Sequence, residues 1–240
     1  MYNGDINFKG KSSKAYPLTI TTPPAINPAE LITEEYTIPG KDGTLYGVNP
    51  YTGSATITVQ FALVAATTWT AGEASPYTKA YREVREWLSG TGTLKIGDAP
   101  DSYFEVQKVS ITTSERVILR YGTIEATFTV YPFEFLTAGD TAITTGLDEL
   151  ENKGSRSMPL YKISGSGSGT LTVNGNAMTY TVDGELYIDT RRFIAYDENG
   201  ANKNSLLAGD YDGLWLEPGD NEITATAGTL AVTPKWGYKL

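Results

Sequence analysis

Hydrophobic and polar residues alternate with a period of two along much of this chain. Ala55, Ile57, Val59, Phe61 and Leu63 share one face, and Thr56, Thr58 and Gln60 share the other. That is the pattern of a half-buried strand. Residues 123–130 repeat it, with Ile124, Ala126, Phe128 and Val130 set against Thr123, Glu125, Thr127 and Thr129. Strands are also expected over residues 93–96, 103–111 and 117–120. Pro132 should end the series, since proline has no amide to give to a ladder. Upstream, Pro23-Pro24 and Asn27-Pro28 predict an irregular arm, and Ile38-Pro39-Gly40-Lys41-Asp42-Gly43 predicts a turn.

One stretch changes period. Tyr77, Ala80, Tyr81, Val84 and Leu88 fall at i, i+3, i+4, i+7 and i+11, one face of a helix. Ser75 can cap it, Pro76 suits its first position and Gly90 can stop it. Lys79, Arg82, Glu83, Arg85 and Glu86 take the opposite face. Such an apolar face predicts packing on a sheet.

Residues 136–157 are rich in Thr, Gly, Ala, Asp and Glu, with no sustained apolar period. They predict a boundary, giving domains 1–137 and 158–240 joined by a linker at 138–157. Beyond it, Asn174-Gly175 and Asp183-Gly184 punctuate Leu171/Val173, Met178/Tyr180/Val182 and Leu186/Ile188, predicting a three-stranded meander. Residues 214–216, 221–225 and 229–235 add three more strands. The expected class is mainly β: an N-terminal sandwich or barrel-like domain with one helix, then a C-terminal sandwich or jelly roll.

The chain has 240 residues, no Cys, no His and a formal charge of −9. Disulfides, thiolate or His-ligated zinc and His-dependent catalysis are therefore excluded by residue type. The acidic balance argues against a nucleic-acid clamp, which needs a basic surface. The opening Met1-Tyr2-Asn3-Gly4-Asp5 lacks the basic flank and apolar core of a signal peptide. No run of ~18 apolar residues exists to span a membrane. A soluble protein made in the cytoplasm is expected.

Candidate sites are few. Gly165-Ser166-Gly167-Ser168-Gly169 precedes a strand, whereas a phosphate loop must open a helix; a flexible turn is expected there. Asp197-Glu198-Asn199-Gly200 and Asp210-Tyr211-Asp212-Gly213 gather oxygen ligands without EF-hand spacing, and turn chemistry accounts for both. Tyr211, Trp215 and Trp236 could form a sugar-stacking platform, or fill a core or an interface. No catalytic, cofactor-binding or metal residue is assigned.

Several motifs in order carry a family resemblance. They are Phe8-Lys9-Gly10, the 38–43 turn, Val59-Gln60-Phe61, Trp87-Leu88 with Gly92-Thr93-Leu94, Asp98-Ala99-Pro100-Asp101-Ser102-Tyr103 and Thr127-Phe128-Thr129-Val130-Tyr131-Pro132-Phe133. Met158-Pro159, Val173-Asn174-Gly175, Tyr187-Ile188-Asp189 and Leu216-Glu217-Pro218-Gly219-Asp220-Asn221-Glu222-Ile223 continue it. The set resembles the distal tail proteins of long, non-contractile-tailed bacteriophages and prophages.

The resemblance implies a non-enzymatic virion protein at the tail tip, made in the bacterial host cytoplasm. It implies a homo-hexameric ring built by the N-terminal, tail-tube-related domain, with a galectin-like C-terminal sandwich projecting outward. Implied partners are the tail tube protein, a tail-associated tip protein and peripheral receptor-binding proteins. Neither specific DNA binding nor membrane insertion is implied. The genome would pass through the lumen, where like charge repels phosphate over roughly 10 Å at moderate salt. Exposed sheet edges and the proline-rich arm, residues 17–35, are expected to reach the neighbouring copy. Two other classes compete: a carbohydrate-binding sandwich that recognises host cell-wall polysaccharide, and a wall hydrolase using two carboxylates ~5 to 9 Å apart.

Overall fold

The computed structural model describes residues 4–240, apart from the side chains of residues 48–51 and 113. Met1, Tyr2 and Asn3, read above for a leader, lie outside it. Among the described residues the fold is mainly β with a single α-helix. The chain divides into two compact units, residues 1–134 with Leu240, and residues 135–239.

In the first unit the strands are β1 (Ile6–Phe8), β2 (Lys11–Ser12), β3 (Leu18–Ile20), β4 (Ala25–Asn27), β5 (Leu31–Thr37), β6 (Thr44–Thr52), β7 (Ala55–Val64), β8 (Gly92–Ile96), β9 (Ser102–Ile118) and β10 (Tyr121–Leu136), with α1 (Pro76–Trp87) between β7 and β8. The main sheet runs β2-β1-β8-β9-β10-β7-β3, and β4 also pairs with β7. Among the described residues β5 and β6 pair only with each other, as a separate two-stranded sheet.

The alternation predicted for β7 and β10 is the alternation observed. Ala55, Ile57, Val59, Phe61 and Leu63 are buried against Ile124, Ala126, Phe128 and Val130. At about 25 cal/mol per Å² of apolar surface removed from water, these strands dominate the unit's core. The helix closes that core. Ser75 Oγ accepts from Thr78 N, Pro76 opens the first turn, and Tyr77, Ala80, Val84, Trp87 and Leu88 are buried. Trp87 stacks on Tyr16 at 4.8 Å between ring centroids and meets Phe8 and Phe61 edge-on.

Three expectations change here. The predicted segments 103–111 and 117–120 are one strand, β9, which turns at Leu119-Arg120 into β10. Pro132 does not end β10. The buried positions instead switch from even numbers, Ile124 to Val130, to odd ones, Phe133 and Phe135. Odd positions lie on the opposite face of the strand from even ones, so beyond Val130 the other face of β10 is the buried one, and Pro132 offers its carbonyl, accepting from Leu240 N at 3.2 Å. Nor is the proline-rich segment irregular throughout. Its prolines fall between strands, so β3 and β4 pair with β7 and bury Leu18 and Ile20.

The second unit contains β11 (Leu150–Asn152), β12 (Leu160–Val173), β13 (Asn176–Asp189), β14 (Ile194–Asp197), β15 (Leu207–Ala208), β16 (Gly219–Asn221), β17 (Ile223–Ala225) and β18 (Thr229–Thr233). Its larger sheet runs β14-β13-β12-β17, with β15 on β13 and β18 on β12; β11 pairs with β16. Tyr161, Ile163, Leu171, Val173, Met178, Ile188, Leu214, Leu216 and Val232 fill its core, and Leu150 joins them.

Asn174 and Gly175 both have positive φ and make the predicted tight turn between β12 and β13. Asp183-Gly184 makes none. Gly184 pairs with Gly165, Asp183 with Ser166, and both strands run on through this point. The expected meander is therefore two long strands, and the glycine-rich stretch is the middle of β12 rather than a loop. Both facing glycines have positive φ, so the strands bend together where one glycine alone would have read as a reversal. Residues 214–216 form the end of a 3-10 turn and an isolated bridge to Ser157, and no strand.

Candidate functional site

The β5–β6 hairpin is the most unusual surface of the first unit. Every residue of β5 is exposed. Pairing puts Tyr36 opposite Leu45 and Glu35 opposite Tyr46. Cross-strand partners share a face, so Glu34, Tyr36 and Leu45 lie on one side. Glu35 and Tyr46 lie on the other. Leu31, Ile32, Tyr36, Ile38, Leu45 and Tyr46 are all exposed. A lone two-stranded hairpin is marginal in water, and contiguous apolar exposure of this kind marks a contact surface.

A second apolar surface lies at the tip where β9 turns into β10. Val117, Ile118 and Leu119 are exposed there, as is Trp69 on the loop before the helix. Together with Pro76 and Arg116 they line an open groove of about 830 Å³. Its backbone is held in place: Tyr77 N donates to Leu119 O at 3.2 Å and Ala65 N to Arg120 O at 2.8 Å. Trp69 Nε1 donates to Glu73 O at 3.1 Å.

In the second unit the structure brings together two of the three aromatic candidates. Tyr211 and Trp215 meet the same ring, Phe193, edge-on at 5.8 and 6.2 Å. Tyr211 Oη donates to Asn204 Oδ1 at 3.2 Å, and the Arg156 guanidinium lies 5.6 Å from the Trp215 ring centre. Arg156 also pairs with Glu217 at 2.7 Å. Trp236 lies apart from them, packed on the unit's core with its indole nitrogen buried and unpartnered. Phe193, which sequence reasoning passed over, is 48% exposed and holds φ +55. Its neighbours Arg191 and Arg192 donate their amides to Asp189 Oδ1, at 3.1 Å each. The Asp-Thr-Arg-Arg spacing was the available signal for this turn.

The acidic loops are built as turns. Asp197 Oδ1 accepts from Ala201 N and Asn199 N at 2.9 Å each, and Oδ2 faces Lys203 Nζ at 3.3 Å. The Ala201 amide above all, then that of Asn199 and the Lys203 ammonium, hold its carboxyl below the usual range. Hydrogen bonds from Lys162 and Tyr187 likewise lower Glu185. Among the described residues no group of three or more acidic side chains is placed to hold a metal ion. No helix there is long and apolar enough to cross a membrane.

No family model matches this chain, and no curated protein matches it either. A solved structure does. The crystal structure of the SPP1 Dit (gp 19.1) protein, described as a paradigm of the hub adsorption apparatus in phages infecting Gram-positive bacteria, superposes with a TM-score of 0.68. The likeness covers 96% of this chain and 98% of that one at 13% identity. The two share a fold across essentially their whole lengths.

Proposed function

We propose that this chain is a non-enzymatic structural protein of a phage or prophage tail tip, a distal tail protein acting as a hub. The observation that carries the reading is the likeness to a hub protein over both units at once. A coincidence of common β architecture would be expected to cover one unit only. In this reading the first unit, with its tail-tube-like sheet and lone helix, builds a homo-hexameric ring. The second unit is a galectin-like sandwich at the periphery. The ring joins the tail tube protein to a tail-associated tip protein, and carries receptor-binding proteins outward. DNA crosses the lumen without being bound, in keeping with the acidic chain. Electron microscopy and mass photometry of the purified protein test this. Annular particles near six times the 26.0 kDa chain mass are expected. A strictly monomeric species at micromolar concentration would overturn the ring.

A second reading is compatible with the first. Phe193, exposed between Tyr211 and Trp215, offers an aromatic face on which a pyranose ring of cell-wall polysaccharide could stack. Titration calorimetry with host-wall polysaccharide tests it. Binding abolished by Phe193→Ala or Trp215→Ala in a folded protein supports it, and no heat with the wild-type chain ends it.

A further inference from the structure

We infer that the β5–β6 hairpin of one copy seats on the Trp69–Leu119 groove of the next copy. This rests on the ring reading and identifies the two surfaces that would make its subunit contact.

Both surfaces lie in the first unit. Each is an apolar feature left in water by the chain's own fold. The hairpin presents Tyr36 and Leu45 with Glu34 on one face, and Ile32 and Ile38 are exposed beside them. The groove presents Trp69, Val117, Ile118 and Leu119, with Arg116 and Arg120 beside them. The charges are complementary. Glu34 shares the face of Tyr36 and Leu45, and Glu30 lies on the approach to β5, while the hairpin's Lys41 and Asp42 cancel each other at the turn. The charged residues that line the groove itself are Arg116 and Arg120, whose planar forks suit carboxylate partners.

The choice of a second copy follows from finding both halves on one chain. A protrusion and a receiving groove at different places on one subunit make a heterologous contact, which closes into a ring when the rotation permits. The hairpin's two-strand construction also requires a partner. Among the described residues it has no sheet neighbour, and β5 has no buried residue, so its order in the assembly comes from the surface it covers. An isologous hairpin-to-hairpin contact would bring two copies of the same acidic face together, which like-charge repulsion opposes.

The absence of cysteine makes disulfide trapping clean. Tyr36→Cys and Ile118→Cys proteins, both changes at exposed positions, are prepared separately, mixed and oxidised. A covalent dimer formed in the mixture, and by neither variant alone, is the expected result. The doubly substituted chain should give a ladder whose last rung is the ring's copy number. In parallel, Glu34→Arg should weaken assembly at least tenfold by mass photometry, as should Arg116→Glu with Arg120→Glu. Combining the two should restore at least part of the loss. A wild-type ring that shows no mixed cross-link and ignores the charge reversals overturns the docking while leaving the ring intact. Cross-linking confined within single chains of the double variant overturns it too. A wild-type chain that never assembles overturns the ring reading itself, and the docking falls with it.

Discussion

Trp87 Nε1 donates to the backbone oxygen of Phe8 at 3.1 Å, joining the end of the helix to the first strand across 79 residues of chain. The indole also packs among Tyr16, Phe8 and Phe61. Trp87→Phe keeps most of the apolar volume but removes the donor, and should cost about 1–3 kcal/mol. Trp87→Ala adds a cavity and should cost about 3–5 kcal/mol. Urea unfolding curves check both. Equal losses in the two variants would mean that the hydrogen bond, and not the packing, dominates.

Gly122 opens β10 where no side chain can be accommodated. A Cβ there would stand 2.3 Å from the Glu115 carbonyl oxygen and 2.5 Å from the Tyr77 ring. Its neighbours include backbone of β9, so relief requires the strands or the helix to shift. Gly122→Ala should lower stability by about 1–3 kcal/mol, the usual range for overpacking, visible as a lower urea midpoint with the slope unchanged.

Asn221 is buried and saturated. Its Nδ2 donates to Leu150 O at 3.3 Å and to Glu217 O and Gly219 O at 2.9 Å each. Its Oδ1 accepts from Glu217 N at 2.9 Å and Asn174 Nδ2 at 2.8 Å. Asn221→Leu would strand several buried partners, each worth about 1–3 kcal/mol when left unsatisfied. A loss of at least about 2 kcal/mol is expected from thermal unfolding. Asn174→Asp, which keeps an oxygen acceptor for Glu222 N and removes the donor to Asn221, should cost less.

The Asp197 carboxyl sits below its usual 3.8, chiefly through the Ala201 amide. A carboxyl whose pKa falls on folding contributes stability that is complete above the unfolded pKa and is lost as pH drops through the folded one. Asp197→Asn keeps an oxygen acceptor and removes the charge. The melting-temperature gap between wild type and variant should therefore be constant near pH 6 to 7 and shrink toward pH 3. A gap that persists unchanged at acid pH would place the effect in packing.

Much of this was readable in the chain because it depends on neighbours in sequence. The helix is bounded by Ser75 and Leu88 because its cap and its apolar face are local properties. The faces of β7 followed from the two-residue period, and the Asn174-Gly175 turn from two positive-φ residues in a row. Trp87 escaped the predicted helix face because it sits at the edge of the apolar stripe. Only Phe8 and Tyr16, far away in sequence, bring it inside. Phe193 escaped because one exposed aromatic in a polar stretch has no period, and its neighbours Tyr211 and Trp215 arrive from another segment.

The sequence by itself determined a β-rich, cysteine-free and histidine-free acidic chain with one helix at a known place, since composition and periodicity are independent of partners. Tertiary structure decided what to do with ambiguous punctuation. Pro132 sits inside a strand, whose buried face changes beside it, instead of ending that strand, and Gly184 met Gly165 across a ladder instead of reversing the chain. It also decided that Tyr36 and Leu45 face water while Ile57 and Phe61 do not. All four lie in strands. Burial belongs to a pair of surfaces, and the second surface is never written beside the first.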